Sequence, residues 1–171
     1  MGIEDSDADY YWRKALTREN ARLQMSKLHI RSYRNDDEAA LIRLWQQCGL
    51  VVPWNDPQAD IARKTADSPE LFYVGTIDDG LVASCMAGYD GHRGWIYYLA
   101  VDDMLQRQGI ATGMVRHVEA ELLNRGCPKI DLMVRNTNQA VIAFYKSIGY
   151  TNDPVVVLSK RLVEDEQHDF S

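Results

Sequence analysis

The chain has 171 residues, 46% of them hydrophobic, with 19 Lys+Arg against 25 Asp+Glu and a formal net charge of −6. That length and apolar content fit one compact domain with a real core and exclude wholesale disorder. The acidic balance argues against nucleic acid as the main ligand, because phosphate backbones are held chiefly by clustered Lys and Arg. Cys48, Cys85 and Cys127 are too few and too scattered for a disulfide framework or a zinc site, so no metal is expected. No stretch approaches the ~20 apolar residues of a membrane span, so no membrane partner is expected. The acidic start, Glu4-Asp5-Ser6-Asp7, is unlike the basic start of a secretory signal and points to a reducing, cytoplasmic compartment.

Residues 1–27 carry five acids and five bases and few aliphatics, and read as an N-terminal extension ahead of a domain over 28–171. Tyr10 to Met25 fits a helix leaning Tyr11, Ala15, Leu16 and Leu23 to one side, a disordered tail, or an upstream extension before a start at Met25. Met1-Gly2 with Ser6 matches the loose myristoylation pattern, but without the nearby polybasic signal that stable anchoring needs.

From Leu28 onward strand and helix alternate. Residues 29–33 read as a strand, and Asp36 or Asp37 caps a helix with Ala40, Leu41, Leu44, Trp45 and Cys48 on its apolar face. Pro53-Trp54-Asn55-Asp56-Pro57 is a rigid loop because two prolines fix its backbone, and a short helix covers 58–66. Strands at 71–77 and 81–88 are joined at Asp78-Asp79-Gly80, a hairpin signal. A polar loop from Asp90 to Gly94 leads into an aromatic-rich strand at 95–101. A long helix over about 109–125 places Ile110, Met114, Val118 and Leu122 at helical spacing and stops at Gly126. A strand at 129–134, a helix at 138–147 ending near Gly149, a last strand at 155–162 and a solvated acidic tail from Glu164 complete the chain. The fold class is α/β, a mixed sheet with helices on both faces.

The turn Gln106-Arg107-Gln108-Gly109-Ile110-Ala111 lies between the strand at 95–101 and the long helix. A small-residue turn there aims free backbone N–H groups and the positive helix end at one point, an anion site suited to pyrophosphate. Gly109 allows an unusual backbone angle and Ala111 keeps bulk away from the ligand. A glycine that merely fits a strand-to-helix turn is the plain alternative. The turn lacks the Gly-Lys-Ser/Thr of a Walker A loop and is not GxGxxG.

One strand and one loop later come Asn138, Phe144-Tyr145 and Ile148-Gly149-Tyr150. Together these segments resemble the GNAT superfamily of acetyl-CoA-dependent N-acetyltransferases. Its acetyl-CoA loop has the form Gln/Arg-x-x-Gly-x-Gly/Ala, here Gln106, Gly109 and Ala111. Its last helix carries an Asn seven residues before a Tyr, then Gly and an aromatic, here Asn138, Tyr145, Gly149 and Tyr150. The resemblance covers about 28–162, and the stretches 53–57 and 89–94 look closest to the YpeA-like branch.

The resemblance implies a mixed, mostly antiparallel sheet whose middle strands, 95–101 and 129–134, splay apart to admit the pantetheine arm of acetyl-CoA. It implies that Leu99 and Val101 hold the thioester carbonyl and the arm. The loop around Gln106, with Arg107, Gln108, Gly109, Ile110, Ala111 and Thr112, would hold the pyrophosphate. Asn138 would anchor the arm or the nucleotide, and Tyr145 would be the general acid at sulfur, where a core aromatic is the plain reading. Some peptide-acetylating relatives place a Glu base in the strand corresponding to 129–134; Met133 stands there and leaves the base unassigned.

On the acceptor side, Asp90 or His92 is the candidate base or relay, and Trp54, Asn55, Asp90, His92 and Tyr97 are the candidate pocket residues. Tyr97 and Tyr98 fall on opposite faces of a regular strand, so one of them belongs to the core. The function expected is acetyl transfer from acetyl-CoA to a primary amine, a small amine or a peptide α-amine, by a monomer or homodimer. The competing readings are a CoA-binding sensor that lost efficient chemistry, suggested by Met133, and an interaction protein whose extension docks a partner or a second copy.

Overall fold

The computed structural model describes residues 27–53 and 55–162; the expected extension at 1–26, Trp54 and the acidic end beyond Leu162 lie outside the described residues. Five strands stand side by side in chain order: β1 (His29–Ser32), β2 (Phe72–Ile77), β3 (Gly80–Tyr89), β4 (Gly94–Val101) and β5 (Ile130–Asp131). The first three junctions are antiparallel and β4–β5 is parallel. Helices α1 (Glu38–Gln47) and α2 (Pro57–Asp67) connect β1 to β2, α3 (Ile110–Asn124) crosses from β4 to β5, and α4 (Gln139–Ser147) follows β5.

Each helix forms where its sequence supplies an end signal and one apolar face. Asp56 caps α2, its carboxylate accepting from the N–H of Gln58 at 2.9 Å and of Ala59 at 3.1 Å, with Pro57 at the first helical position. In α3 the fourfold spacing of Ile110, Met114, Val118 and Leu122 buries all four against the sheet. At the end of α4 the chain turns at Gly149 with φ +108°, and the N–H of Tyr150 donates back to the Tyr145 carbonyl at 3.0 Å. Asp37 does not cap α1 in the expected way. Its carboxylate accepts the Arg31 guanidinium at 2.7 and 2.8 Å and the Arg34 N–H at 2.8 Å, so it ties β1 to the turn before the helix.

The two faces of the sheet carry separate cores. Ala83, Cys85 and Ala87 of β3 pack with the buried stripe of α3 and with Tyr145 on one face. Leu41, Leu44 and Trp45 of α1 and Ile61 of α2 pack with Phe72, Val74, Met86 and Ala100 on the other. The hairpin between β2 and β3 is a two-residue turn with Ile77 opposite Gly80; both central positions, Asp78 and Asp79, have positive φ, +48° and +65°. Aspartate tolerates that region better than most residues, so the pair serves where Asn-Gly is commoner, and Gly80 begins the strand.

Two expected strands are corrected. The strand expected at 129–134 pairs only over Ile130–Asp131, because β4 moves away from it after Trp95. Residues 155–162 form no strand: Val155, Val156, Val157, Leu158 and Leu162 are exposed. Valines favour strands by packing on a partner ladder, and a two-residue β5 offers too little ladder to hold eight more residues. The splayed pair therefore sits at the edge of the described sheet, where the middle was expected.

Gly94 marks where β4 and β5 touch. A Cβ there would stand 2.8 Å from Leu122 Cδ1 and 2.9 Å from Cys127 Sγ. Gly94→Ala should therefore lower stability by about 1–3 kcal/mol through overpacking. A urea midpoint equal to that of the parent chain would show that this junction repacks freely.

Candidate active site

The N–H of Gly94 donates to the Lys129 carbonyl, toward β5, while the N–H of Asp102 donates to Val82, toward β3. In a regular strand two even-numbered residues point their N–H groups the same way. The reversal is made by a bulge: Tyr97 lies opposite Met86 and Ala100 opposite Ser84, so Tyr98 and Leu99 share the single residue Cys85. Tyr98 takes the strain, with φ +48°. Beyond the bulge the N–H groups of Leu99 and Val101 face away from β3, into the wedge that opens once β4–β5 pairing ends at Trp95 and Asp131.

The bulge also corrects the expectation that Tyr97 and Tyr98 lie on opposite faces. Tyr97 shares a face with its partner Met86, and Tyr98 packs into the same cluster, its ring 4.2 Å from that of Trp45. Tyr97 keeps 43% of its surface exposed. The Tyr98 hydroxyl donates to Asp60 at 2.5 Å and accepts from the Asn55 side-chain amide. Burial and the Asp60 contact raise the Tyr98 phenol well above its ordinary range.

The turn after β4 has two left-handed residues, Arg107 at φ +64° and Gly109 at φ +88°. Alternation of that kind curls successive N–H groups into a concave nest. The first intrahelical donor of α3 is Gly113, bonded to the Gly109 carbonyl at 2.9 Å. The N–H groups of Ile110, Ala111 and Thr112 thus precede the ladder and carry the positive end of the helix. Gln106 braces the turn from inside, its amide donating to the Val101 carbonyl at 3.2 Å and to Asp103 at 2.7 Å. Gln108 likewise donates to the Met104 carbonyl, and the Ile110 side chain is buried in the core.

A cavity of about 1420 Å³ lies between β4, β5 and α4, lined among others by Trp95, Tyr97, Met133, Tyr145 and Tyr150. Tyr145 is 7% exposed, with Phe144 and Tyr150 edge-on to its ring at 5.0 and 5.3 Å. Burial raises its phenol well above the ordinary range, with smaller contributions from Cys85 and Tyr150, so the hydroxyl stays protonated through neutral pH. That hydroxyl makes no hydrogen bond among the described residues. Asn138, seven residues earlier and so two turns away on the same side of α4, caps the helix by accepting from the Val141 N–H at 3.3 Å.

The structure does not bring Asp90 and His92 to this point. They sit in the loop before Gly94, at the paired end of β4; Gly94 is five residues, roughly 16 Å of extended strand, from Leu99. Asp90 accepts from the N–H groups of His92 and Arg93 at 2.8 and 2.7 Å and from the Trp95 indole at 3.1 Å. Those bonds hold its carboxyl down to about 2, which suits a loop organiser and leaves a poor proton acceptor. Met133 lines the cavity where a carboxylate base was sought. Asp60 and Ser84 contact Tyr98 at the bulge and were not anticipated, since no side-chain pattern announces an extra residue in a strand.

A splayed parallel pair beside a bulged strand, with an N–H nest at the next helix, offers backbone donors to an extended, anionic ligand. The profile of the Acetyltransferase (GNAT) family matches residues 27–150. A protein named acetyltransferase from Pectobacterium atrosepticum is 46% identical over 141 residues, 82% of this chain and 100% of that one. The crystal structure of Ard1 from Thermoplasma volcanium superposes with a TM-score of 0.67 at 23% identity, covering 73% of this chain and 83% of that one. AAC(6')-Iy, solved with a bisubstrate analogue of CoA, superposes with a TM-score of 0.65 at 15% identity, covering 78% and 98%. The chain belongs to the GNAT family of acetyltransferases. No described helix is long and apolar enough to cross a membrane.

Proposed function

We propose that this acetyltransferase moves the acetyl group of acetyl-CoA to a small amine or a peptide α-amine by direct attack in a ternary complex. The observation that carries the reading is the bulge, which turns the Leu99 and Val101 N–H groups into the wedge. Leu99 would bond the thioester oxygen and stabilise the charge that grows there as the amine attacks carbon. Val101 would hold the arm, and the N–H groups over Arg107 to Thr112 the pyrophosphate. Tyr145, kept in its acid form by burial, would give its proton to the departing sulfur. Asn138 has its amide N–H₂ left for the arm. Within the family, the segments 53–57 and 89–94 support placement in the YpeA-like branch.

The acceptor's own proton has no carboxylate to receive it at Met133, and Asp90 is engaged elsewhere. A lysine side chain of pKa about 10.4 costs roughly 4–5 kcal/mol to deprotonate at pH 7, an α-amine near 7.7–8.0 only about 1. Amines already partly neutral, losing the proton to water, suit this site best. The rate should climb with pH, and its midpoint should follow the acceptor's pKa across an amine series in a thiol-release assay. One midpoint shared by every amine, and lost in His92→Gln, would instead reveal a histidine base. Steady thiol release with any amine of the panel separates this reading from a CoA sensor.

A further inference from the structure

The bulge leaves one peptide group to be placed by something other than the ladder. The Tyr98 carbonyl accepts from Ser84 Oγ at 3.0 Å, and Ser84 Oγ in turn accepts from Trp45 Nε1 at 2.8 Å. An indole N–H only donates and a carbonyl only accepts, so the single hydroxyl proton must lie on the Tyr98 side. Ser84 and Trp45 are both fully buried. They sit among Leu41, Leu44, Phe72 and Met86, where an unpaired hydroxyl would be costly and a paired one is held firmly. The Tyr98 ring, stacked on Trp45, clamps the same residue from its other end.

The Tyr98 carbonyl and the Leu99 N–H are opposite ends of one planar trans peptide. Holding the carbonyl toward Ser84 sends the N–H into the wedge, and a hydrogen bond on the carbonyl also polarises the N–H into a stronger donor. We propose that Ser84, oriented by Trp45, is a positioning residue for acyl transfer that aims the Leu99 N–H at the thioester oxygen. This rests on the reading of Leu99 given above. It extends the site by two residues of the opposite sheet face that touch neither acetyl-CoA nor the amine.

The test is difference infrared spectroscopy of acetyl-CoA labelled with ¹³C at the carbonyl, bound to the parent chain, to Ser84→Ala and to Trp45→Phe, with steady-state kinetics alongside. The parent chain should lower the carbonyl stretch on binding. Ser84→Ala should lose most of that shift and drop kcat on the order of 10-fold, with KM for acetyl-CoA within about threefold. That is less than the 10²–10³-fold cost of losing an oxyanion donor outright, because the N–H remains. Trp45→Phe keeps an aromatic ring, though a smaller one, and removes the N–H donor, so it should show a smaller change of both readouts in the same direction; it decides the matter if Ser84→Ala does not fold. A purely structural Ser84 would alter the urea midpoint and leave the stretch and kcat as in the parent chain, overturning the proposal. Absence of any shift in the parent chain would instead remove the Leu99 reading itself.

Discussion

Tyr145→Phe should lower kcat by roughly 10²–10⁴-fold while leaving KM for acetyl-CoA within a few-fold, as expected for a group that acts on the leaving thiolate. The ring is what packs, against Phe144 and Tyr150, and phenylalanine keeps the ring. The hydroxyl makes no bond among the described residues that its removal would break. Stability should accordingly change little, and the loss should sit in the chemical step. Because burial raises this phenol well above its ordinary range, it stays the acid form across the working range, and no falling limb from its ionisation should appear near neutral pH. An unaltered kcat, with acyl transfer shown to be rate-limiting, would assign Tyr145 to packing alone.

Gly109→Val should weaken CoA binding by on the order of 10-fold or more, and Arg107→Ala by no more than about fivefold. Gly109 sits at φ +88°, where a β-branched side chain is strained, and relieving the strain would rotate the N–H groups out of the nest. A tenfold loss requires only about 1.4 kcal/mol. Arg107 is left-handed and exposed already, so alanine leaves its backbone unchanged and removes a solvated charge worth at most about 1 kcal/mol. Calorimetry with CoA reads both, and the reverse order would mean that side-chain charge holds the pyrophosphate.

Periodicity and end signals made most of the fold legible. The fourfold stripe of α3, the proline-started α2 and the hairpin at Asp78-Asp79 each follow from local physics. What failed depended on partners. Residues 155–162 have strand-forming side chains but no long ladder beside them, and Ile130–Asp131 pairs only until β4 departs. At the site, Gly109 and Tyr145 stood out because their motifs are contiguous in sequence. Ser84 and Asp60 did not, because the bulge that brings them to Tyr98 is a matter of register between β3 and β4. The acceptor loop misled for a related reason. Asp90 and His92 are the residue types a base needs, yet the Asp90 carboxylate is consumed by N–H groups of its own turn.

The parity reversal in β4 has a bearing on how this enzyme tolerates change. The groups aimed into the wedge from Leu99 and Val101 belong to the main chain, so an alanine scan from Tyr97 to Val101 would leave every one of them in place. What sustains them is a head-count: one residue more in β4 than in the stretch of β3 it faces. Substitution leaves the arithmetic alone, whereas gaining a single residue in β3 opposite Tyr98 and Leu99 gives every residue of β4 its own partner and turns both N–H groups back into the sheet. Side chains at Leu99 and Val101 can therefore drift far while these donors persist, whereas one codon gained in the facing stretch of β3 would be enough to close them.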